Sequence, residues 1–267
     1  FISLIPYLTN GTGGGNWEIA STWALNVVPM SGSAIRVVGT DILTATANSK
    51  SASAVILEDA ATLNLASTTG HNLGTILGKG KIALANANLP TGNYATFTQT
   101  GGGTIEYRGS VTLPVSRVVY NNLIINVPSG VVSMPNASLT INGNMTVQNG
   151  TLQSLTNRRI TLYGNLVVEN GSTFTAGNGS SNEQLRLAGN LTNDGTITSG
   201  NTRFVLFGGL NQNIGGTQIP VLNYLEMSKS GRKAYLVNNL RLQTQLAFNS
   251  GILVLGTYNL VLNNNTL

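Results

Sequence analysis

Acid–base chemistry in this chain would have to come from nine carboxylates and one histidine: Glu18, Asp41, Glu58, Asp59, Glu106, Glu169, Glu183, Asp194, Glu226 and His71. Glycoside cleavage needs two carboxyl groups about 5 to 9 Å apart. In stacked strands such a pair comes from i, i+2 positions or from equivalent places on adjacent turns. Glu169 and Asp194 are separated by one repeat, and each stands just ahead of a Gly turn. Acids in that setting cap turns far more often than they form catalytic dyads. Glu58 and Asp59 are neighbours, which on a strand would face opposite ways, so a turn is expected there. His71, in STTGHNLG, lacks the companions that a triad or a zinc site requires in a chain without cysteine. It is expected as a surface-loop residue. A polysaccharide lyase would cluster aspartates around Ca²⁺ beside a base, and the three aspartates here are dispersed. The reading is therefore no catalytic residue, no metal ligand and no cofactor.

Sugar binding is chemistry of another kind, performed by ring faces. Trp17 and Trp23, six apart in a Gly-rich setting, together with Tyr94 and Tyr107, are the candidates for stacking on a carbohydrate. The competing role for the tryptophans is to close the end of a repeat fold, whose terminal turns must be atypical. Thr-x-Thr recurs at 44/46, 96/98, 173/175 and 196/198. Threonine ladders can bind ice, but only the last two pairs are one repeat apart, so no continuous array is expected. TGGG (12–15) and GGG (101–103) lack the Lys-Ser/Thr that completes a phosphate-binding loop, and both are expected as turns.

The elements that must position these residues repeat. Segments 139-LTINGNMTVQNGTL-152, 160-ITLYGNLVVENGSTF-174 and 185-LRLAGNLTNDGTI-197 align. Their Gly-Asn pairs, Gly143-Asn144, Gly164-Asn165 and Gly189-Asn190, follow one another at intervals of 21 and 25. Each segment holds two short strands of alternating apolar and polar residues, closed by residues that tolerate φ > 0. Leu139, Ile141, Met145 and Val147 are the expected inward positions. A longer match sets residues 123–152 against 225–253, an offset of 102. Repeats of this size mean solenoids, propellers or arrays. The unit is too short for a propeller blade, and it has neither a leucine-rich frame nor a stripe of period 3.6. The expected fold is all-β, a right-handed parallel β-helix (β-solenoid) with about 21–25 residues per coil, within the size range of such repeats. Residues 1–30 would form an N-terminal capping segment. Residues 31–267 would form the solenoid, irregular to about 100, regular from about 101, and continuing beyond 267 in a longer chain.

Composition narrows the function. Of 267 residues 41% are hydrophobic and only 9% charged, a balance that builds a core and excludes charge-driven disorder. The net charge of +5 is scattered, with Arg158-Arg159 and Arg232-Lys233 the densest pairs. No aromatics interleave with them as in nucleic-acid binders, so no nucleic acid partner is expected. No apolar run approaches the ~20 residues of a membrane span.

Four segments carry a resemblance: GGNWEIASTWALNVVP (14–29), GGGTIEYRG (101–109), YNNLIIN (120–126) and NRRITLYGNLVVENGSTFTAG (157–177). They resemble repeat-rich secreted surface proteins of Bacteroidota, the adhesin-like or gliding-motility-like cargo of type IX secretion. The resemblance implies an extracellular, cell-surface location. It also implies partners that are other copies of the chain, other cell-surface proteins or surface glycans. The expected function is a non-catalytic structural or adhesive solenoid segment of a bacterial surface or filament protein. The alternative is a carbohydrate-binding or polysaccharide-active β-helix.

Overall fold

A computed structural model describes residues 5–154, 158–177, 183–198 and 200–263. Residues 1–4 of the expected cap, Asn157 of the last resembling segment and the final residues 264–267 lie outside the described residues. The chain is all-β: parallel strands stack in about ten coils of roughly 21 residues, a β-solenoid. One 3₁₀ turn, Ala20–Thr22, is the helix found among the described residues. The chain divides into two compact units, Phe1–Val111 with Tyr120–Asn122, and Thr112–Val119 with Leu123–Leu267.

In the first unit each coil contributes two strands, because alternating side chains give every strand one apolar face that must be covered. One column runs Tyr7–Leu8, Ile35–Val37, Ala54–Leu57, Asn72–Gly78 and Thr91–Asn93. The other runs Gly14–Asn16, Ile42–Thr44, Thr62–Ala66, Lys81–Leu84 and Thr104–Tyr107. Inside, Ile35, Val55 and Ile76 sit in register, as do Leu43, Leu63, Ile82 and Ile105, and all are buried. Each such side chain contributes about 1.5–3 kcal/mol by leaving water. The glycines at 14 and 15, expected in a turn, lie instead in a strand paired with Ile42–Leu43. They are needed for close approach: a Cβ on Gly14 would stand 2.2 Å from the carbonyl oxygen of Ile42.

The second unit builds three columns. The first carries Leu139–Ile141, Arg159–Leu162, Gln184–Leu187, Arg203–Phe207 and the early part of Val221–Leu236. The next stacks Leu123, Met145, Leu166, Leu191 and Ile214, and the third stacks Leu152, Phe174 and Ile197. Leu139, Ile141, Met145 and Val147 all point inward. Phe174 meets Phe204 edge to face at 6.4 Å in this core. Register steps from Leu139 to Ile160 to Leu185 reproduce the intervals between the Gly-Asn pairs.

The corners explain those pairs. Gly164 N–H donates to Gly143 O at 2.9 Å and Gly189 N–H to Gly164 O at 3.1 Å. A Cβ at either position would come within 2.2–2.3 Å of the carbonyl of the coil below. Here glycine is required for contact between coils, not for a positive φ. Positive φ is used at the second turn, +77° at Gly150 and +78° at Gly171. The adjoining asparagines form a ladder. Asn144 Oδ1 accepts the Asn165 N–H at 2.9 Å, Asn165 Oδ1 that of Asn190 at 2.8 Å, and Asn190 Oδ1 that of Asn213 at 2.9 Å.

The longer match, of 123–152 with 225–253, does not equate positions of one column. Leu123 stacks under Met145, whereas Leu225 stacks on Phe204 in the column of Ile160 and Leu185. What the matched segments share is local form: each is a long strand interrupted by a register shift, at 126–131 and at 228–233.

Candidate functional site

The four aromatic residues read as a sugar platform are interior. Trp17, Trp23, Tyr94 and Tyr107 are 3%, 2%, 1% and 0% exposed. Trp17 and Trp23 meet edge to face at 6.0 Å, and the Trp23 indole N–H donates to Trp17 O at 2.9 Å. Tyr94 reaches Pro90 O at 2.9 Å, and Tyr107 contacts the Tyr120 hydroxyl at 3.3 Å. Stacking on a sugar needs a ring face open to solvent, so these rings do not form the platform. Large amphipathic rings were the right volume for the core, and the polar tips of Trp23, Tyr94 and Tyr107 found hydrogen-bond partners there.

His71, expected on the surface, is 3% exposed. Its Nδ1 accepts the Lys50 backbone N–H at 3.0 Å, and its Nε2 lies 3.0 Å from the Thr68 hydroxyl. Burial lowers its pKa below 6.5, the Lys50 charge adds to that, and the Thr68 bond and the Glu18 carboxylate oppose it. Nearby, Lys50 pairs with Glu18 at 2.8 Å. Burial works against the Glu18 charge. The ammonium, the Thr46 hydroxyl and backbone N–H donors outweigh that and hold its pKa at about 2. Beside His71 lies a cavity of about 340 Å³ edged by Thr68, Asn86, Asn88 and Thr91. Both imidazole nitrogens are engaged, one by the Lys50 backbone and the other by the Thr68 hydroxyl, so the ring ties two loops together.

Several other carboxylates are tied into the fold. Asp194 Oδ1 accepts the Thr217 N–H at 2.7 Å, capping the next coil. Glu58 and Asp59 lie in a turn closed by Ala61 N–H to Glu58 O at 3.0 Å. Glu106, its side chain 1% exposed, is bridged by Lys81 at 2.6 Å and Arg108 at 2.7 Å. Lys229 is fully buried, its Nζ donating to Phe207 O and Gln212 Oε1, and burial pushes its pKa below the usual lysine value. Among the described residues no group of three or more His, Cys, Asp or Glu could hold a metal ion.

A different surface gathers outward-pointing side chains. On the outer side of the first column of the second unit, Thr161, Arg186, Val205 and Glu226 lie in register, Val205 and Glu226 being buried. Beside them Arg159, Gln184, Arg203 and Tyr224 form a parallel row. At the edge, Tyr163 and Phe207 meet edge to face at 5.7 Å. They are two coils apart, and the small Ala188 occupies the coil between. The Arg186 guanidinium lies 4.9 Å over the Phe207 ring, and that of Arg203 lies 4.6 Å over Tyr224. Arg203 also pairs with Glu226 at 2.5 Å. Tyr163 is 53% exposed. Neither Arg159 nor Arg186 forms an ion pair among the described residues, and the Nε atoms of Arg186 and Arg203 are shielded and unpartnered.

The sequence held a signal for this face. When RITLYG, QLRLAG, RFVLFG and YLEMS are aligned on their inward Leu, Phe and Met, the outward positions become Arg, Thr, Tyr, then Gln, Arg, Ala, then Arg, Val, Phe, then Tyr and Glu. Scanning for carboxylates passed it over. No protein-family model, no curated protein and no solved structure matches this chain.

Proposed function

We propose that this chain is a non-catalytic structural and adhesive segment of an extracellular bacterial cell-surface or filament protein. The observation that carries the reading is the continuity of bonding along the coil stack. Strands pair in parallel from coil to coil, and asparagine side chains tie successive corners by a second row of hydrogen bonds. Such an element resists extension because several bonds must break together before a coil can leave. The low charge density and the use of carboxylates and aromatic rings in supporting roles favour a mechanical task over turnover. The resemblance of residues 14–29, 101–109, 120–126 and 157–177 to exported surface proteins supports the location and partners of the same kind: further copies, or neighbouring surface proteins.

The test is force spectroscopy on the chain tethered at both termini. Extension in steps of about one coil is expected, at forces well above those of a single β-hairpin. Smooth, low-force extension would remove the reading. So would release of reducing ends or unsaturated sugars from a panel of polysaccharides.

A further inference from the structure

We infer that the outer face of residues 159–163, 184–188, 203–207 and 224–226 is a binding strip for an acidic glycan, a polymer bearing carboxylates on its sugar rings. This rests on the adhesive part of the function proposed above and gives it a ligand class.

Three features carry it. The first is charge. All nine acids and all fourteen basic residues divide unevenly: the first unit holds five of each, while the second holds nine basic and four acidic residues. The whole net charge therefore belongs to the second unit. On the strip itself Arg159, Arg186 and Arg203 face a single acid, Glu226. The second feature is a guanidinium without a described counter-charge, its Nε shielded. The Arg186 guanidinium is held over an aromatic ring with no acidic partner among the described residues. A planar fork fixed in this way is pre-organised for a carboxylate. The third feature is ring surface. Tyr163, half-exposed at the edge of the arginine rows, offers a ring on which the C–H face of a sugar can lie, braced by Phe207, which carries the Arg186 guanidinium.

A uronate polymer, alternating carboxylates with apolar sugar faces, complements this pairing of cations with an aromatic edge. A nucleic acid strand carries a phosphate at every nucleotide and asks for denser cations and several stacking rings. With three arginines, one already paired, the strip meets the sparser ligand.

The experiment is affinity electrophoresis and titration calorimetry of the full chain with polygalacturonate, with dextran as the neutral polymer and oligo-dT as the polyanion lacking sugar carboxylates. Retardation by polygalacturonate that weakens with added NaCl is expected. Arg186→Gln is expected to reduce affinity about tenfold, the loss of one charge-assisted contact. Tyr163→Ala should reduce it about fivefold, and Arg36→Gln in the first unit should leave it unchanged. Circular dichroism of each variant must match the parent. Overturning results are absence of binding by the parent chain, equal binding by Arg186→Gln and the parent, equal affinity for dextran, or tighter binding of oligo-dT. Any of these sinks the strip while leaving the force measurement, and so the mechanical reading, standing.

Discussion

The two units solve one problem, coil on coil, with different chemistry. In the first, two strands per coil are backed by charged side chains that pair with each other: Arg36–Glu58, Lys50–Glu18, and Glu106 between Lys81 and Arg108. In the second, three columns are joined at corners by glycine contact and asparagine ladders, and a single described ion pair, Arg203–Glu226, lies within it. Neutral amides hold the corners of the second unit, which leaves Arg159 and Arg186 without carboxylates to satisfy. The difference teaches that the first unit balances its charge within the structure, whereas the second buries Lys229 on neutral acceptors and leaves Arg159 and Arg186 outside any described ion pair.

Substitutions can break that contrast, and the largest effect is expected at Glu106. Replacing it with Leu leaves Lys81 and Arg108 without their buried counter-charge, and a loss of about 3 kcal/mol is expected in chemical denaturation. Arg159→Leu on the second unit should change stability by less than about 0.5 kcal/mol. Equal costs would erase the distinction between the two uses of charge. Next comes the corner. Gly189→Ala must push a methyl group against the Gly164 carbonyl and should cost about 2 kcal/mol. Gly171, with open space around its Cβ position but φ at +78°, should cost about 1 kcal/mol when changed to Ala.

Asn165→Ala removes the acceptor of the Asn190 N–H and is expected to cost about 1 kcal/mol. Hydrogen exchange should speed up at the Asn190 amide and remain slow at Leu187. Asn165→Asp keeps an oxygen in place and should largely restore protection.

The smallest effects follow pH in the first unit. His71 is held neutral, so its unfolded form takes up a proton first as pH falls through 6.5. Stability should therefore decline from pH 7.5 to 5.5, and His71→Gln should flatten that slope. Glu18 acts in a lower window. Its contribution is present above pH 4.5 and is lost as pH falls toward about 2. A Glu18→Gln variant should differ from the parent at pH 6 and converge with it near pH 2. Identical pH profiles for parent and variants would show that neither group contributes.

How much was legible depended on whether a corner used a side chain. Gly164-Asn165 and Gly189-Asn190 repeat because a carbonyl approaches and an amide is accepted there, so the coils from Leu139 onward could be read with their spacing. In the first unit the steps Ile35–Val55–Ile76 and Leu43–Leu63–Ile82 are at least as even. Their corners are closed by varied means, among them Asp41 accepting from Gly11 and Gly13 at 2.8 Å. Backbone register recurs there without a recurring motif. The candidate binding face escaped for a related reason. Arg186, Phe207 and Tyr163 are far apart in the chain and meet only when three coils are superposed, whereas Trp17 and Trp23 drew notice through nearness in sequence. Burial then turned those rings to packing.

The asparagine ladder also has a sense. Each Oδ1 accepts from the coil that follows, never from the one before, among the rungs at 144, 165 and 190. A coil joining from the C-terminal side meets acceptors already aimed at it, whereas one joining from the N-terminal side has to bring its own. The stack is thus a template that reads in one direction, the direction in which a polypeptide is made.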